Sequence, residues 1–487
     1  MLKRVLPVLI VLAIVVAAPL VLRRDTQVAE ASDSQDRLVI ITPHNDSIRN
    51  EFGEAFAEYW MNKTGRTIYI DWRAPGGGGD ILKVIDGSFA AAEELGKEGT
   101  ELDLFFGGGT RDFIKQASRG HLAKIEVFDR HPEWFGDDEL PAGFSGETYY
   151  DEDRRWVGVC LSQFGIVYNS DVLEWMGEEP PQKWSDLGSP SYFGKLALAD
   201  PTKSSSVTKA FEMLVQEQMQ EVIREKGDSP ETRAEGWSRG MNLLQKLAAN
   251  ARYFTDSASK IPHDVAMGNS AAGTCIDFYG RSFEDAVRDE KGRSRVRWIS
   301  PQGGTSLNVD SIAIFRGAPH MEIAQEFVVF CLSDQGQLLW NKKPGSPGGP
   351  KDRALRRLPV RRSFYTAKWM EDFTDPDALP YERTGQFVYQ PDLTVEAFDT
   401  LRLIFRAMCM DPYVELKMAW NKLAVEGEGD LSLFYDVSAV NYEYVMNELV
   451  PLVESGDPID LTRTLTRISK QFRNNYRRAA EGKGDQP

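Results

Sequence analysis

Short apolar runs that alternate with helical patterns are the feature that most restricts the fold of this chain. Leu38–Ile41 is a β-prone run, and apolar residues then recur at helical spacing over Ile48–Trp60. Two further strand-like runs, Ile68–Ile70 and Leu102–Phe106, are each followed by another helical pattern. Strands that alternate with helices in this way predict an α/β fold with a mostly parallel sheet that helices cover on both faces.

Polar or glycine-rich turns follow these strands at their carboxyl ends. In open α/β sheets the ligand crevice lies outside these ends, so the turns are candidate ligand contacts. A glycine run at a helix start can present unpaired backbone N–H groups to an anion, although a plain surface loop has the same composition. The candidates from this part of the chain are His44, Gly76, Gly77, Gly78, Gly79 and Gly108.

The middle of the chain repeats the alternating pattern. Trp156–Val159 and Ile166–Asn169 are strand-like runs separated by a polar break, and Leu196–Ala199 is a further strand. Val296–Ile299 and Ser311–Ile314 form a pair of runs that can carry the chain back to the first group of strands. The pattern therefore predicts a second group of strands, which the chain enters once and leaves once.

Two turns in this second group carry candidate ligand contacts. Ser204, Ser205 and Ser206 follow a strand and precede a helix, where hydroxyl and backbone N–H groups can bind phosphate or carboxylate oxygens. Plain capping of the helix by serine is the alternative. Tyr279 and Arg281 follow another strand-like run, and the positive charge of Arg281 favours an anion over a metal ion.

The overall composition disfavours several kinds of function. A length of 487 residues exceeds one ordinary core and predicts two lobes with extensions. The formal net charge of −16 disfavours a nucleic-acid partner, because such binding needs a basic face. The sequence has no HExxH, GxSxG or P-loop pattern and no GxGxxG after a strand, which disfavours hydrolase, kinase and dehydrogenase activity. The four cysteines lie far apart among apolar residues, so buried free thiols are expected.

The N-terminus carries an unbroken apolar run from Val5 to Leu22. Its 18 residues exceed an ordinary signal-peptide core and approach the roughly 20 residues that span a bilayer. Two arginines directly after the run favour a retained anchor, whereas the small residues at Ala29-Glu30-Ala31 keep a cleaved signal open as an alternative. Either fate exports the rest of the chain to the periplasm or cell envelope, and an anchor at residues 5–22 would hold it at the inner membrane.

Five ordered segments carry a resemblance to a known family. They are Asp103–Gly109 with Gly120–Leu122, Gly165–Asn169, Trp184–Leu187 with Gly194–Pro201, Asp310–Ile314 with Gly317–Pro319, and Ala324–Leu332 with Ser333–Gln337. In this order, over roughly Leu38–Arg362, they resemble the bacterial extracellular solute-binding proteins of the ferric-iron, phosphonate and sugar-phosphate group. The residues after Arg362 depart from the usual ending of that family.

The resemblance implies a periplasmic-binding-protein-like fold with two lobes and two hinge crossings, which closes over a small molecule or ion. Together with the strand pattern it predicts a signal or membrane anchor with a linker (1–37), lobe 1 (38–164), lobe 2 (165–298), a return to lobe 1 (299–364) and a C-terminal helical extension (365–487). The implied function is the solute-binding component of an ABC importer, with an ABC permease in the membrane as its partner.

The resemblance also implies where a metal would bind. Iron-binding relatives use two adjacent tyrosines near Tyr279 and can use a histidine near His44, since phenolate oxygen and neutral imidazole both suit iron. Here the pair reads Phe278-Tyr279, and a phenylalanine cannot ligate a metal. We therefore expect a small organic anion or a phosphate-bearing solute, with ferric iron held by His44 and Tyr279 as the alternative.

Two further alternatives belong to other functional classes. An enzyme on the same scaffold would need a catalytic pair such as Asp200 and Asp277, but nothing in the sequence places these carboxylates at a working separation. A membrane-anchored sensor would use the anchor and the C-terminal helices to present the lobes to a signalling partner. We expect no catalytic residues, no cofactor and no enzymatic activity.

Overall fold

The computed structural model describes residues 33–382 and 387–481. The predicted anchor or signal at residues 5–22 lies outside the described residues, and within them no helix is long and apolar enough to cross a bilayer. The strands are β1 (Asp36–Ile41), β2 (Ile68–Arg73), β3 (Leu104–Gly109), β4 (Gly143–Phe144), β5 (Glu147–Thr148), β6 (Trp156–Asn169), β7 (Leu196–Ala199), β8 (Ala251–Thr255), β9 (Ala272–Ile276), β10 (Val296–Ile299), β11 (Leu307–Ile314) and β12 (Leu358–Pro359).

Helices occupy most of the remaining chain. They are α1 (Asp46–Thr64), α2 (Gly78–Glu94), α3 (Thr110–Ser118), α4 (Val127–Arg130), α5 (Ser170–Met176), α6 (Ser205–Lys226), α7 (Pro230–Asn250), α8 (Lys260–Ala266), α9 (Asp277–Ala286), α10 (Met321–Leu332), α11 (Asp334–Asn341), α12 (Ala367–Met370), α13 (Pro391–Thr394), α14 (Phe398–Phe405), α15 (Tyr413–Trp420), α16 (Leu431–Phe434), α17 (Tyr442–Tyr444), α18 (Val450–Ser455) and α19 (Pro458–Glu481). π-helical turns directly follow α14, α15 and α17. The regular elements among the described residues after 365 are helices.

The large sheet is mixed and has two halves. Its strand order is β2-β1-β3-β11-β6-β9-β7-β8, with β10 and β12 paired to β6. Strand β1 runs parallel to β2 and β3, and β7 runs parallel to β8 and β9. The expectation of a mostly parallel sheet is wrong at β6 and β11, because both strands pair antiparallel with their neighbours as the chain crosses between the halves.

Strand β6 joins the two halves of the sheet. Its residues up to Gln163 pair with β11, and its residues from Phe164 onwards pair with β9. The sequence predicts two runs with a break here, and that expectation is wrong. The polar residues Ser162 and Gln163 remain in the strand because the ladder with β11 uses their backbone groups, and this pairing does not depend on side-chain polarity.

The buried apolar residues divide in the same way as the sheet. Phe52, Phe106 and Trp340 belong to a core that covers the first half. The core of the second half is larger, because it includes residues of the C-terminal helices such as Leu401 and Phe405. The C-terminal helices are therefore built into the second half of the molecule.

Candidate ligand-binding cleft

The glycine turn (residues 76–79) and the serine turn (residues 204–206) lie against each other. The first leads into helix α2 and the second leads into helix α6. A methyl group added at Gly77 would lie 2.5 Å from the carbonyl oxygen of Lys203, and one added at Gly78 would lie 2.7 Å from Ser205 Oγ. A side chain at position 77 would push the turns apart, because the atom it would meet belongs to the backbone, so the glycines allow the two turns to lie in contact.

The other two glycines of this turn border different groups. A methyl group at Gly76 would meet Asp80 in the first turn of α2, at 2.6 Å from its Oδ2. A methyl group at Gly79 would lie 3.6 Å from the carbonyl oxygen of Thr202 and 3.9 Å from Nη1 of Arg402. The glycine turn therefore contacts both the serine turn and a residue of the C-terminal helices.

The serine turn retains donors at a helix N-terminus. Ser204 caps α6, because its Oγ accepts a hydrogen bond of 3.4 Å from the backbone N–H of Val207. Ser205 Oγ is buried and has no hydrogen-bond partner among the described residues, and Ser206 is partly buried beside it. Ser204 therefore caps the helix, whereas a ligand contact of Ser205 and Ser206 stays a prediction.

Asp112 is a buried carboxylate on α3, beside the glycine turn. A methyl group at Gly78 would lie 3.0 Å from its Oδ2, and one at Gly108 would lie 3.9 Å from the same oxygen. Gly108 has a φ of 108°, which favours glycine. Burial raises the pKa of Asp112 to about 6, and the positive charge of Arg402 opposes this shift. Asp112 therefore titrates close to neutral pH in the wall of the cleft.

His44 lies on the other side of Gly107 and Gly108. Its ring is only 5% exposed, its centroid lies 4.7 Å from that of Phe106, and its Nε2 has no hydrogen-bond partner in the described part of the chain. Burial holds the pKa of His44 well below its usual range, and the charges of Arg357 and Arg49 add to this effect. The imidazole is therefore neutral at physiological pH.

Tyr279 connects the second half of the molecule to the start of α1. Its hydroxyl lies beside the side chain of Asn45, and its ring centroid lies 4.0 Å from that of Phe278. Asn45 also caps α1 by accepting a hydrogen bond from the N–H of Ile48 at 3.1 Å. Burial raises the pKa of Tyr279, so the phenol stays protonated.

Arg281 lies in a network of ion pairs. Its Nη2 donates to Asp277 Oδ2 at 2.7 Å and to the carbonyl oxygen of Arg356 at 2.8 Å, and its Nε lies 3.7 Å from Asp375 Oδ2. These two carboxylates compensate much of the charge of Arg281. Its Nε is buried without a hydrogen-bond partner among the described residues, and a contact with the solute stays a prediction.

Arg357 is a second buried positive charge close to Phe278 and Tyr279. It is 4% exposed, its guanidinium lies 4.0 Å over the ring of Phe278, and its Nη2 pairs with Asp310 Oδ2 at 2.8 Å. Its Nε and Nη1 are buried without a hydrogen-bond partner among the described residues. Arg357 thus brings unpaired donors to the neighbourhood of His44 and Tyr279.

Sequence reasoning also missed Asp112 and Arg402. These residues belong to no motif, and each comes from a helix that contributes other residues to a core. One feature of the sequence points to Arg357. The pair Arg356-Arg357 interrupts the apolar run Leu355–Val360, and charged residues are rarely buried unless they are paired.

The buried groups around these turns include several hydrogen-bond donors that have no partner among the described residues. Among the described residues, no group of three or more His, Cys, Asp or Glu side chains is arranged to hold a metal ion. The four cysteines are buried and free, as predicted, and burial raises the pKa of each thiol. The arrangement is suited to binding oxygen atoms that carry negative charge.

A family model described as bacterial extracellular solute-binding protein matches residues 101–371. The matched region is more than half of the chain and includes the serine turn, Tyr279 and Arg357. The chain belongs to the bacterial extracellular solute-binding proteins. The expectation from the ordered segments is confirmed, and the solute-binding protein has the function of this family: it is the solute-binding component of an ABC importer.

Curated relatives are distant. An uncharacterized protein of Haemophilus influenzae is 23% identical over 65% of this chain and 78% of its own length. The phosphoglycerate transport regulatory protein PgtC of Salmonella typhimurium is 24% identical over 37% of this chain, and the match spans only 39% of the length of PgtC.

Solved structures of periplasmic binding proteins share the fold. AfuA of Actinobacillus pleuropneumoniae, with fructose-6-phosphate bound, is 19% identical with a TM-score of 0.50. The match covers 76% of this chain and 100% of AfuA. Iron-bound HitA of Pseudomonas aeruginosa is 18% identical with a TM-score of 0.50, over 76% of this chain and 99% of HitA. At these identities the likeness establishes the mixed α/β fold of the solute-binding protein and not its solute.

Proposed function

We propose that the solute-binding protein captures a small anionic solute in this cleft and delivers it to an ABC permease. The observation that carries the proposal is the state of Arg357, which is 4% exposed and has two guanidinium nitrogens without a partner in the described residues. Leaving buried donors unpaired costs free energy, and the cost is larger for a charged group. A phosphate or carboxylate group in the cleft would satisfy these donors.

Other unpaired donors support the same solute class. The Nε atoms of Arg49 and Arg111 and the hydroxyl of Ser205 are buried without a hydrogen-bond partner among the described residues. The charge of Arg49 acts on His44, and that of Arg111 acts on Asp112. A cleft can carry a local positive field in a protein whose formal net charge is −16. We infer that the protein binds its solute without converting it, because these groups donate hydrogen bonds rather than supply a nucleophile.

We further propose that residues 38–164 and 299–364 form lobe 1 and residues 165–298 form lobe 2. The change of partner strand within β6, after Gln163, supports a crossing at this point. Asn45 contacts Tyr279, and Arg356 pairs with Asp285 at 2.8 Å, so these contacts would hold the lobes together. Closure around the solute would then be the signal that the permease recognises.

Ferric iron is the second candidate solute. His44 and Tyr279 lie in one neighbourhood, since the charge of Arg357 acts on both, and phenolate and imidazole are suitable iron ligands. The positive charge of Arg357 and the phenylalanine at position 278 weigh against a ferric ion. We therefore rank an anion first.

Membrane attachment through residues 5–22 is part of the proposal. The length of this segment and the two arginines that follow it support a retained anchor at the outer face of the inner membrane. N-terminal sequencing of protein from the native host separates the two fates. A mature chain that starts at Ser32 would show that the segment is cleaved.

Calorimetric titration with a defined panel tests the proposed solute class. The panel contains inorganic phosphate, 3-phosphoglycerate, fructose 6-phosphate, citrate and ferric chloride with a weak chelator. The double variant Ser205→Ala/Ser206→Ala should weaken anion binding by about 1–3 kcal/mol, the cost of hydrogen bonds lost from a charged group. Tight ferric binding that survives these serine changes and is lost in Tyr279→Phe would replace the anion by iron and leave the transport role intact.

A further inference from the structure

Helix α14 of the C-terminal extension is fixed to the helix that carries the serine turn. Leu401, Ile404 and Phe405 of α14 are buried in the core of the second half of the molecule. The ring of Phe405 lies 4.6 Å from that of Phe211 in α6. A side chain on the remaining face of α14 therefore has a fixed position relative to the Ser204–Ser206 turn.

Arg402 is the side chain on that face. Its side chain is 11% exposed, and its Nη1 would lie 3.9 Å from a methyl group at Gly79. The same methyl group would lie 3.6 Å from the carbonyl oxygen of Thr202, at the start of the loop that leads into the serine turn. Arg402 thus lies where the glycine turn and the serine turn meet.

The guanidinium of Arg402 is oriented and incompletely paired. Its Nη2 lies 3.0 Å from Asp399 Oδ1, one turn earlier on the same helix, and Asp399 Oδ2 lies 3.4 Å from Lys115 Nζ of helix α3. Its Nε is buried and has no hydrogen-bond partner in the described part of the chain. The ion pairs hold the guanidinium in place while leaving at least one donor for a ligand.

We propose that Arg402 contacts the negatively charged group of the bound solute, so that the C-terminal extension contributes a specificity-determining residue to the cleft. This inference rests on the proposed anion function. An arginine at this place can form two parallel hydrogen bonds to a phosphate or a carboxylate, next to the free hydroxyl of Ser205. The extension lies beyond residues 101–371, the part that matches the family, and would adapt the cleft of this protein to its own solute.

The opposing role for Arg402 is purely structural. Its charge acts on Asp112 in α3, so it could serve only to hold the two halves of the molecule together. A structural role predicts that loss of Arg402 weakens all anions by one common factor. A direct contact predicts unequal losses, because the contact depends on the charge and geometry of the solute.

Titration of full-length Arg402→Gln and Arg402→Lys with the panel of anions tests this inference. Arg402→Gln should weaken the tightest-binding phosphate-bearing anion by about 10- to 100-fold, the range for lost hydrogen bonds to a charged group. It should weaken citrate by a different factor, and Arg402→Lys should lose less because it keeps the charge. Arg406→Gln is the matched control: Arg406 follows α14 directly, its side chain is 57% exposed, and it pairs with Asp411 at 3.5 Å.

The outcomes separate the inference from the proposed function. Unequal losses in Arg402→Gln, with wild-type affinities in Arg406→Gln, would support a direct contact. Anion affinities in Arg402→Gln and Arg402→Lys that stay within twofold of wild type, or that fall by one common factor, would overturn the inference and leave the anion function standing. If the wild-type protein binds no anion of the panel, the proposed function fails and this inference fails with it.

Discussion

Ser205 Oγ lies so close to Gly78 that a methyl group at position 78 would be 2.7 Å from it. These two residues come from turns that are far apart in the sequence, and each turn leads into a helix. Their contact places two helix N-termini at one point, where the unpaired N–H groups favour a negatively charged ligand. Substitutions at this contact therefore test whether solute binding depends on the contact between the two turns.

Gly78→Ala should weaken anion binding while leaving the protein folded. The added methyl group would also lie 3.0 Å from Asp112 Oδ2, so the side chains of Ser205 and Asp112 would have to move. Overpacking of this kind costs about 1–3 kcal/mol. Titration with 3-phosphoglycerate and thermal unfolding measure the two effects. Gly87→Ala is the control, because a methyl group at this position of the same helix meets nothing within 4 Å. Equal affinities in both variants would contradict the coupling.

Arg357→Lys should weaken anion binding by about 1–3 kcal/mol, because lysine keeps the charge opposite Asp310 but lacks the planar group that presents Nε and Nη1. Calorimetry with inorganic phosphate and 3-phosphoglycerate gives the affinity. Arg361→Lys is the control, since Arg361 is also buried but pairs with Glu139 at 2.7 Å. A loss of the same size in both variants would point to general destabilisation instead of a ligand contact.

Tyr279→Phe should have a small effect on an anion and a severe effect on iron. The change removes a hydroxyl that lies beside Asn45, and a hydrogen bond to such a group contributes about 0.5–1.5 kcal/mol. Loss of a phenolate ligand would instead abolish tight ferric binding. The measurement is titration of the variant with both classes of solute. Tyr253→Phe, which loses a hydrogen bond of 2.6 Å to Asp264, controls for a hydroxyl lost elsewhere. Abolished phosphate binding in Tyr279→Phe alone would conflict with the minor role given to this residue.

The strand ends could be predicted from the sequence, because an apolar run followed by a glycine or serine turn indicates a strand that ends at the edge of the sheet. His44, the glycine turn and the serine turn were placed after strand ends in this way, and their contact with a solute stays a prediction. The continuous strand β6 was not predicted, since the polar residues Ser162 and Gln163 look like a break and the pairing with β11 is decided by distant residues. Arg357 and Arg402 were also missed, because their roles arise from tertiary packing and they belong to no local motif.

Asp112→Asn should change stability in a pH-dependent way. Burial raises the pKa of Asp112 from 3.8 to about 6, so the folded protein binds the proton more tightly than the unfolded chain does. Ionised Asp112 therefore destabilises the fold at neutral pH, and this cost disappears as the pH falls from about 7 towards 4. The charged groups that act on it are Arg402, Asp399, Lys115 and Arg111.

The variant keeps a neutral side chain at every pH. It should be more stable than wild type at pH 7.5, by up to about 3 kcal/mol, with a difference that vanishes near pH 4. Denaturant unfolding at several pH values measures this difference. Asp80→Asn is the control, because the side chain of Asp80 is 53% exposed on the neighbouring helix. A stability difference between Asp112→Asn and wild type that does not vary with pH would show that Asp112 does not titrate in this range.

Native mass spectrometry of freshly purified full-length protein identifies the solute that the protein retains. We expect one small molecule per chain that carries a phosphate or carboxylate group, and a reduced occupancy in Arg357→Lys prepared in parallel. A bound ferric ion, or a neutral solute with the same occupancy in wild type and Arg357→Lys, would contradict the proposed binding of an anion.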